Sequence, residues 1–289
     1  HKLGGAVGTT YVFGLALLAV LEVLGAVEVM LYVDPSLYMG MGAEGAVRVW
    51  AILLTSALAL MVHGGMKLVS QLGLFFAAVV GLTLASYYAG LIAAPMSGAP
   101  DSVTGLTTST LRDNWGSDYT EGVTFSDVLS VFFPCFTGIL AGANRSQALK
   151  KPEVSIPWGT LSAICISACM YSSSMIMWGA VADRAVLKGG PQAAYTAGHR
   201  RALLAGGGGE SMSVVSEIAW PLALPTQIGI VIASLSQALQ CLISAPRILN
   251  AIAADGTVPF LQRAAPLNDA GEPTMALVMT TGFCLVASM

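Results

Sequence analysis

Residues 132–146 read FFPCFTGILAGANRS. The run starts as an apolar helix, then meets Pro134, Thr137, Gly138 and Gly142 and leaves through Asn144 and Arg145. Proline removes a backbone donor and disfavours continued helix, and Gly138 loosens the chain four residues later. Facing lipid, the freed backbone groups would be costly, because nothing in hydrocarbon can pair with them. Such a break is tolerable where it lines a cavity, and a discontinuous helix near the membrane midplane is a common way to build an ion site.

Chain direction fixes the polarity of the break. The half-helix before it ends near Pro134, and its unpaired carbonyls suit a cation. The half-helix after it begins near Gly138, and the amides of Gly138, Ile139 and Leu140 suit an anion. Thr137 sits between the halves with a hydroxyl to offer. The structural alternative is a packing helix kinked at proline.

Composition makes a membrane setting the natural one. Of 289 residues, 55% are hydrophobic and only 10% charged, against about 25% charged in soluble domains. Mean hydropathy is +0.73. We count seven apolar segments, near 7–32, 47–64, 70–94, 126–143, 157–181, 222–250 and 273–289. Each is expected to be helical, since lipid demands that backbone groups pair within the segment. The connections 33–46 and 65–69 are short. Residues 95–125 and 182–221 form longer polar loops, and the second contains AGGGGES, which holds no rigid structure by itself. The net charge of −3 and the lack of a basic stripe leave no case for nucleic acid. The five cysteines lie in apolar segments, so neither a disulfide framework nor a zinc site is expected. Nothing implies a cofactor or enzyme chemistry.

Lys2, Lys67, Arg145, Lys150, Lys151, Arg247 and Arg263 fall on one side of the membrane. Arg48, Arg112, Arg184, Lys188, Arg200 and Arg201 fall on the other. Long loops weigh less in orientation, so this bias places the start of the chain on the cytoplasmic side and both long loops outside. The chain opens on His1 and closes within an apolar run, and we expect an internal stretch of a longer protein.

FFPCFTGILAGANRSQALKKPEVSIPWGT closely resembles the sixth-helix signature of the cation–chloride cotransporters. LGGAVG and LGAVEVML near the start, SAPRILNAIAADGTVPFL at 244–261 and GEPT at 271–274 agree with the same family. The resemblance spans nearly the whole chain. It implies an all-α membrane protein with part of the LeuT-like inverted-repeat fold of the amino acid–polyamine–organocation superfamily. Residues 1–289 would run from the third into the ninth transmembrane helix. It further implies an electroneutral symporter of chloride and a monovalent cation, potassium favoured, in the plasma membrane, with a homodimer possible in the family.

Carried over residue by residue, Pro134 by its carbonyl and Thr137 by its hydroxyl match potassium ligands, while Gly138, Ile139 and Leu140 match the amides that hold chloride. Glu22 stands where the family has a cation-binding tyrosine. Sodium-dependent members carry two adjacent serines in the eighth helix; here they are Ser236 and Gln237, a vestige that points to sodium-independent transport, as does Arg247. Glu22 is expected to face the cation, the alternative being a carboxylate paired with a basic residue. Glu28, six residues on, points about 120° away at 100° per residue and is expected to pair structurally. Two other readings stand beside the symporter. One is an amino acid or polyamine permease of the same fold. The other is a membrane subunit that keeps the fold without transporting.

Overall fold

The computed structural model describes residues 2–93, 104–119, 122–133, 138–139, 142–143, 146, 149–187, 223–256, 259–268 and 273–289. Among these the helices are α1 (Lys2–Val33), α2 (Ala43–His63), α3 (Met66–Ala93), α4 (Thr108–Asn114), α5 (Phe125–Phe132), α6 (Pro152–Val181), α7 (Arg184–Leu187), α8 (Ala223–Ala254) and α9 (Thr274–Ala287). Short 3₁₀ turns lie at Pro35–Tyr38 and Pro259–Ala264. Five helices contain spans of membrane length: Gly4–Val33, Ala43–His63, Leu72–Ala93, Pro152–Val181 and Leu224–Ala254. α9 is apolar and 14 residues long.

The described residues fall into two compact units. The first holds α1, α2, α8, α9 and α3 as far as Ser86; the second holds α3 from Tyr87 together with α4 to α7.

The first unit is built on the pairing of α1 with α8, its most extensive helix contact. On α1 the buried positions Val12, Leu15, Ala16, Ala19, Val20, Val23, Val27 and Leu31 recur every three or four residues, the spacing of one helical face. Ala238, Leu239, Leu242 and Ala245 answer them from α8. Alanine matters in this seam. Lipid is as apolar as leucine, so helices associate through close packing, which small residues permit. Ala19, Ala238 and Ala245 are at most 1% exposed. On the far side of α1, Leu17 and Leu21 are exposed, as a lipid-facing surface requires.

Two connections in this unit are tightly made. Asp34 caps the 3₁₀ turn after α1 by accepting the Ser36 amide at 2.9 Å. The chain then reverses through Met39 and Gly40, at φ 49° and 72°, and Trp50 Nε1 of α2 donates to the Leu37 carbonyl at 2.9 Å. Elsewhere α8 crosses α3 at Gly229. A Cβ added there would sit 2.8 Å from Thr83 Cβ, and one turn away the Ser86 and Thr226 hydroxyls meet at 3.5 Å.

In the second unit, Tyr88 at the end of α3 donates to the Met170 carbonyl of α6 at 2.9 Å and shares a 2.7 Å hydrogen bond with Ser173. Trp178 Nε1 donates to the Tyr87 hydroxyl. Much of α6 is exposed, with Trp158, Leu161 and Ile166 outward. Its serines stay compatible with that surface because Ser162, Ser167 and Ser174 donate to carbonyls of their own helix.

Three boundaries differ from the sequence reading. The 95–125 loop is not wholly irregular. α4 within it docks on the end of α6, where Asn114 Nδ2 donates to the Gly179 and Ala182 carbonyls at 2.8 Å each. α6 starts at Pro152 rather than near 157, because proline at the first helical position gives up no intrahelical bond. In the segment expected over 126–143, the α-helix among the described residues is Phe125–Phe132. AGGGGES and most of the 182–221 loop lie outside the described residues.

Candidate ion-binding site

The break belongs to the second unit. α5 approaches it from a fixed start, since Asp127 Oδ2 accepts both the Thr124 amide at 2.8 Å and the Thr124 hydroxyl at 2.7 Å. At the other end Phe132 stacks edge-on against Tyr171 of α6, ring centroids 6.2 Å apart. Phe133 still has helical angles, φ −54° and ψ −41°. Five residues later Gly138 stands at φ 95°. That is left-handed territory, which a right-handed helix cannot contain and side-chain-bearing residues rarely adopt. Gly138 and Ile139 are exposed, and Gly142 and Ala143 lie in a further turn. Among the described residues, the chain has left the α-helix by Gly138.

Pro134, Thr137 and Leu140, together with Asn144 and Arg145, lie outside the described residues. Of the proposed chloride-holding amides, Gly138 and Ile139 are thus the two whose place is described.

Glu22 belongs to the first unit. It is half-buried, and its carboxylate is hydrogen-bonded to the Ser234 hydroxyl on α8. Cys241, seven residues and nearly two full turns beyond Ser234, lies on the same face within electrostatic reach of Glu22. Ser236 and Gln237 sit beside Ser234 on α8, both partly buried. At 100° per residue Gln237 falls about 60° from Ser234, whereas Ser236 falls on the opposite side of the helix. Among the described residues neither Glu22 nor Glu28 forms a salt bridge; the two that occur are Arg48–Glu44 and Arg184–Asp118. A hydroxyl, not a basic side chain, receives Glu22.

Ser234 was missed in the sequence reading. Its signal was present in SLSQ, residues 234–237, three polar side chains within four positions of a long apolar helix. Hydroxyls in helices more often satisfy their own backbone, which is why that signal is weak.

Span-length apolar helices joined by short turns, with a left-handed Gly138 following the short apolar helix α5, define a multi-pass integral membrane protein of the transporter class. The chain belongs to the amino acid permease family, whose model matches residues 1–289; the family carries the LeuT-like transporter fold. It is 31% identical to cation-chloride cotransporter 1 of Oryza sativa subsp. japonica over 98% of this chain. It is 30% identical to cation-chloride cotransporter 1 of Arabidopsis thaliana and 31% identical to cation-chloride cotransporter 2 of rice, again over 98% of the chain. It spans 30% of the length of each of these relatives.

Proposed function

We propose that the protein containing this chain is a secondary active symporter that moves chloride together with a monovalent cation, potassium favoured. The observation that carries this reading is the helix break, where a motif of the cotransporter type coincides with a left-handed glycine after α5. Its chemistry suits both ions. Carbonyls ending the first half-helix and the Thr137 hydroxyl receive the cation, and the amides from Gly138 to Leu140 receive chloride. By the family resemblance alone, Glu22, which is hydrogen-bonded to Ser234, is a further cation ligand. The names of the relatives support the same pair of ions. In this reading the two long loops face outward at the plasma membrane.

The test is Thr137→Ala in the full-length protein, assayed by rubidium uptake at varied chloride. Losing a hydrogen bond to a charged partner costs about 1.5–3 kcal/mol, so the half-saturating cation concentration should rise roughly tenfold or more. Unchanged cation dependence at equal surface expression would sink the assignment. The family match favours a second reading, a permease for amino acids or polyamines. Chloride-independent uptake of a labelled amino acid by the same cells would replace the symporter with it.

A further inference from the structure

The short helix α5 divides sharply by face. At 100° per residue, Phe125, Val128, Leu129, Phe132 and Phe133 fall within an arc of about 140°. Ser126, Asp127 and Ser130 occupy the remainder. The apolar arc has a fixed direction, because Phe132 stacks edge-on against Tyr171 of α6. Ser126, Asp127 and Ser130 lie about 120°, 140° and 160° round the helix from Phe132. They therefore point away from that contact.

A helix lying between α6 and lipid would show the reverse arrangement. Hydrocarbon accepts apolar side chains, and a polar face turned towards it is costly. The outward Leu161 and Ile166 of α6 follow that rule. On α5 the apolar arc turns to α6 and the polar arc turns away, so the space beyond the polar arc is not lipid.

The hydroxyls on this arc also differ from those of α6. Ser162, Ser167 and Ser174 each donate to a carbonyl of their own helix. Ser126 is exposed, and among the described residues its hydroxyl has no hydrogen-bond partner. Ser130 donates to the Asp127 carbonyl at 2.7 Å, which leaves its oxygen able to accept. The Asp127 carboxylate accepts the Thr124 amide and hydroxyl, so the start of α5 is held in place. Ser126 and Ser130 are one turn apart, with a rise of about 6 Å between them, on the helix that leads to Gly138.

We propose that the polar face of α5 is the wall of an aqueous path along which a hydrated monovalent cation reaches the helix break, with the Ser126 and Ser130 hydroxyl oxygens as successive contacts. The proposal rests on the symporter reading, in which the 95–125 loop before α5 lies outside. A hydroxyl oxygen can replace a water of hydration, and two in line let the ion exchange waters stepwise.

The test uses single substitutions in the full-length protein: Ser126→Cys and Ser130→Cys on the polar face, Val128→Cys and Leu129→Cys on the apolar one. Intact cells are treated with a membrane-impermeant maleimide, and labelling is mapped to the α5 peptide, so native cysteines do not interfere. The thiolate is the reacting form, and it needs water around it. Labelling at 126 and 130 should be severalfold faster than at 128 and 129. Labelled Ser130→Cys protein should lose most of its rubidium uptake. Ser109→Cys, at an exposed position of α4, should label without losing uptake. Two positions on each face keep the test intact if one variant is not expressed. Equal labelling at all four positions, faster labelling of the apolar pair, or none at 126 and 130 overturns the proposal. The labelling pattern is read without transport. A wet polar face in cells that take up no rubidium keeps the path and sinks the symporter, whereas a dry polar face with normal uptake sinks the path alone.

Discussion

The α1–α8 seam and the turn after α5 solve the same problem by opposite means. Both must keep polar backbone away from hydrocarbon. The seam does so with unbroken helices whose backbone groups pair internally, and it needs only small side chains to bring the helices close. Ala19 and Ala238 are buried there, and the one acid near its middle, Glu22, is met by a hydroxyl. The described residues of the turn are not α-helical. The turn places Gly138 at φ 95° and leaves Ile139 exposed. A packed region can absorb an acid by pairing it. A broken helix leaves backbone groups unpaired by its own turns, and those groups are what an ion without side-chain ligands can use. In this molecule, backbone rigidity and backbone availability are assigned to different helices.

The comparison can be broken most directly at Gly229. There α8, the seam's second helix, approaches α3 without a side chain, and a new Cβ would meet Thr83 Cβ at 2.8 Å. Gly229→Val should destabilise the protein by about 1–3 kcal/mol, the usual cost of overpacking, despite the better helix propensity of any residue over glycine. Thermal melting in detergent measures it, and Thr83→Gly in the same chain should recover part of the loss. A Gly229→Val protein as stable as the parent would show that the crossing is loose.

Gly138→Val tests the other side of the contrast. The residue stands at a φ that a β-branched side chain avoids, so the turn must rearrange. Chloride-dependent uptake should fall severalfold or more while the protein still reaches the membrane, because the damage stays local to the turn. A global loss of stability equal to that of Gly229→Val would erase the distinction between the two regions.

Glu22 sharpens the comparison, being the acid in the seam. Glu22→Gln keeps a partner for Ser234 but removes the charge, and Glu22→Tyr installs the tyrosine that the family resemblance implies at this position. In our reading cation binding weakens as pH falls, because protonating the carboxylate removes a favourable charge. Both variants should flatten that pH profile of rubidium uptake and shift the preference among cations. If both retain the parent's profile and preference, Glu22 serves only the seam.

The smallest effect is expected at Asp34, outside the membrane spans. Hydrogen bonds from Ser36, first from its hydroxyl and then from its amide, hold the Asp34 carboxyl below its ordinary value. Its contribution is therefore present above the ordinary aspartate value of about 3.9 and is lost as pH falls through the lower folded value. Asp34→Ala should lower the melting temperature slightly at neutral pH. The gap to the parent should close in strong acid; a gap independent of pH would place the effect in the turn's backbone instead.

The sequence by itself determined the class and most of the spans. Lipid permits few structures, so apolar runs of bilayer length had to be helices, and α1, α2, α3, α6 and α8 answer that rule. Gly138 likewise announced a departure from α-helix, because glycine's backbone freedom is local and needs no neighbour to act. Tertiary structure decided what depends on neighbours. α4 was hidden in a polar loop because its reason to form includes docking on the carbonyls of Gly179 and Ala182 at the end of α6. Ser234 was hidden because a serine on an apolar helix looks alike whether it bonds its own backbone or receives an acid from the next helix. Lipid constrains each helix singly and so writes its demands into local sequence, while contacts between helices depend on rotations and separations that no single segment encodes.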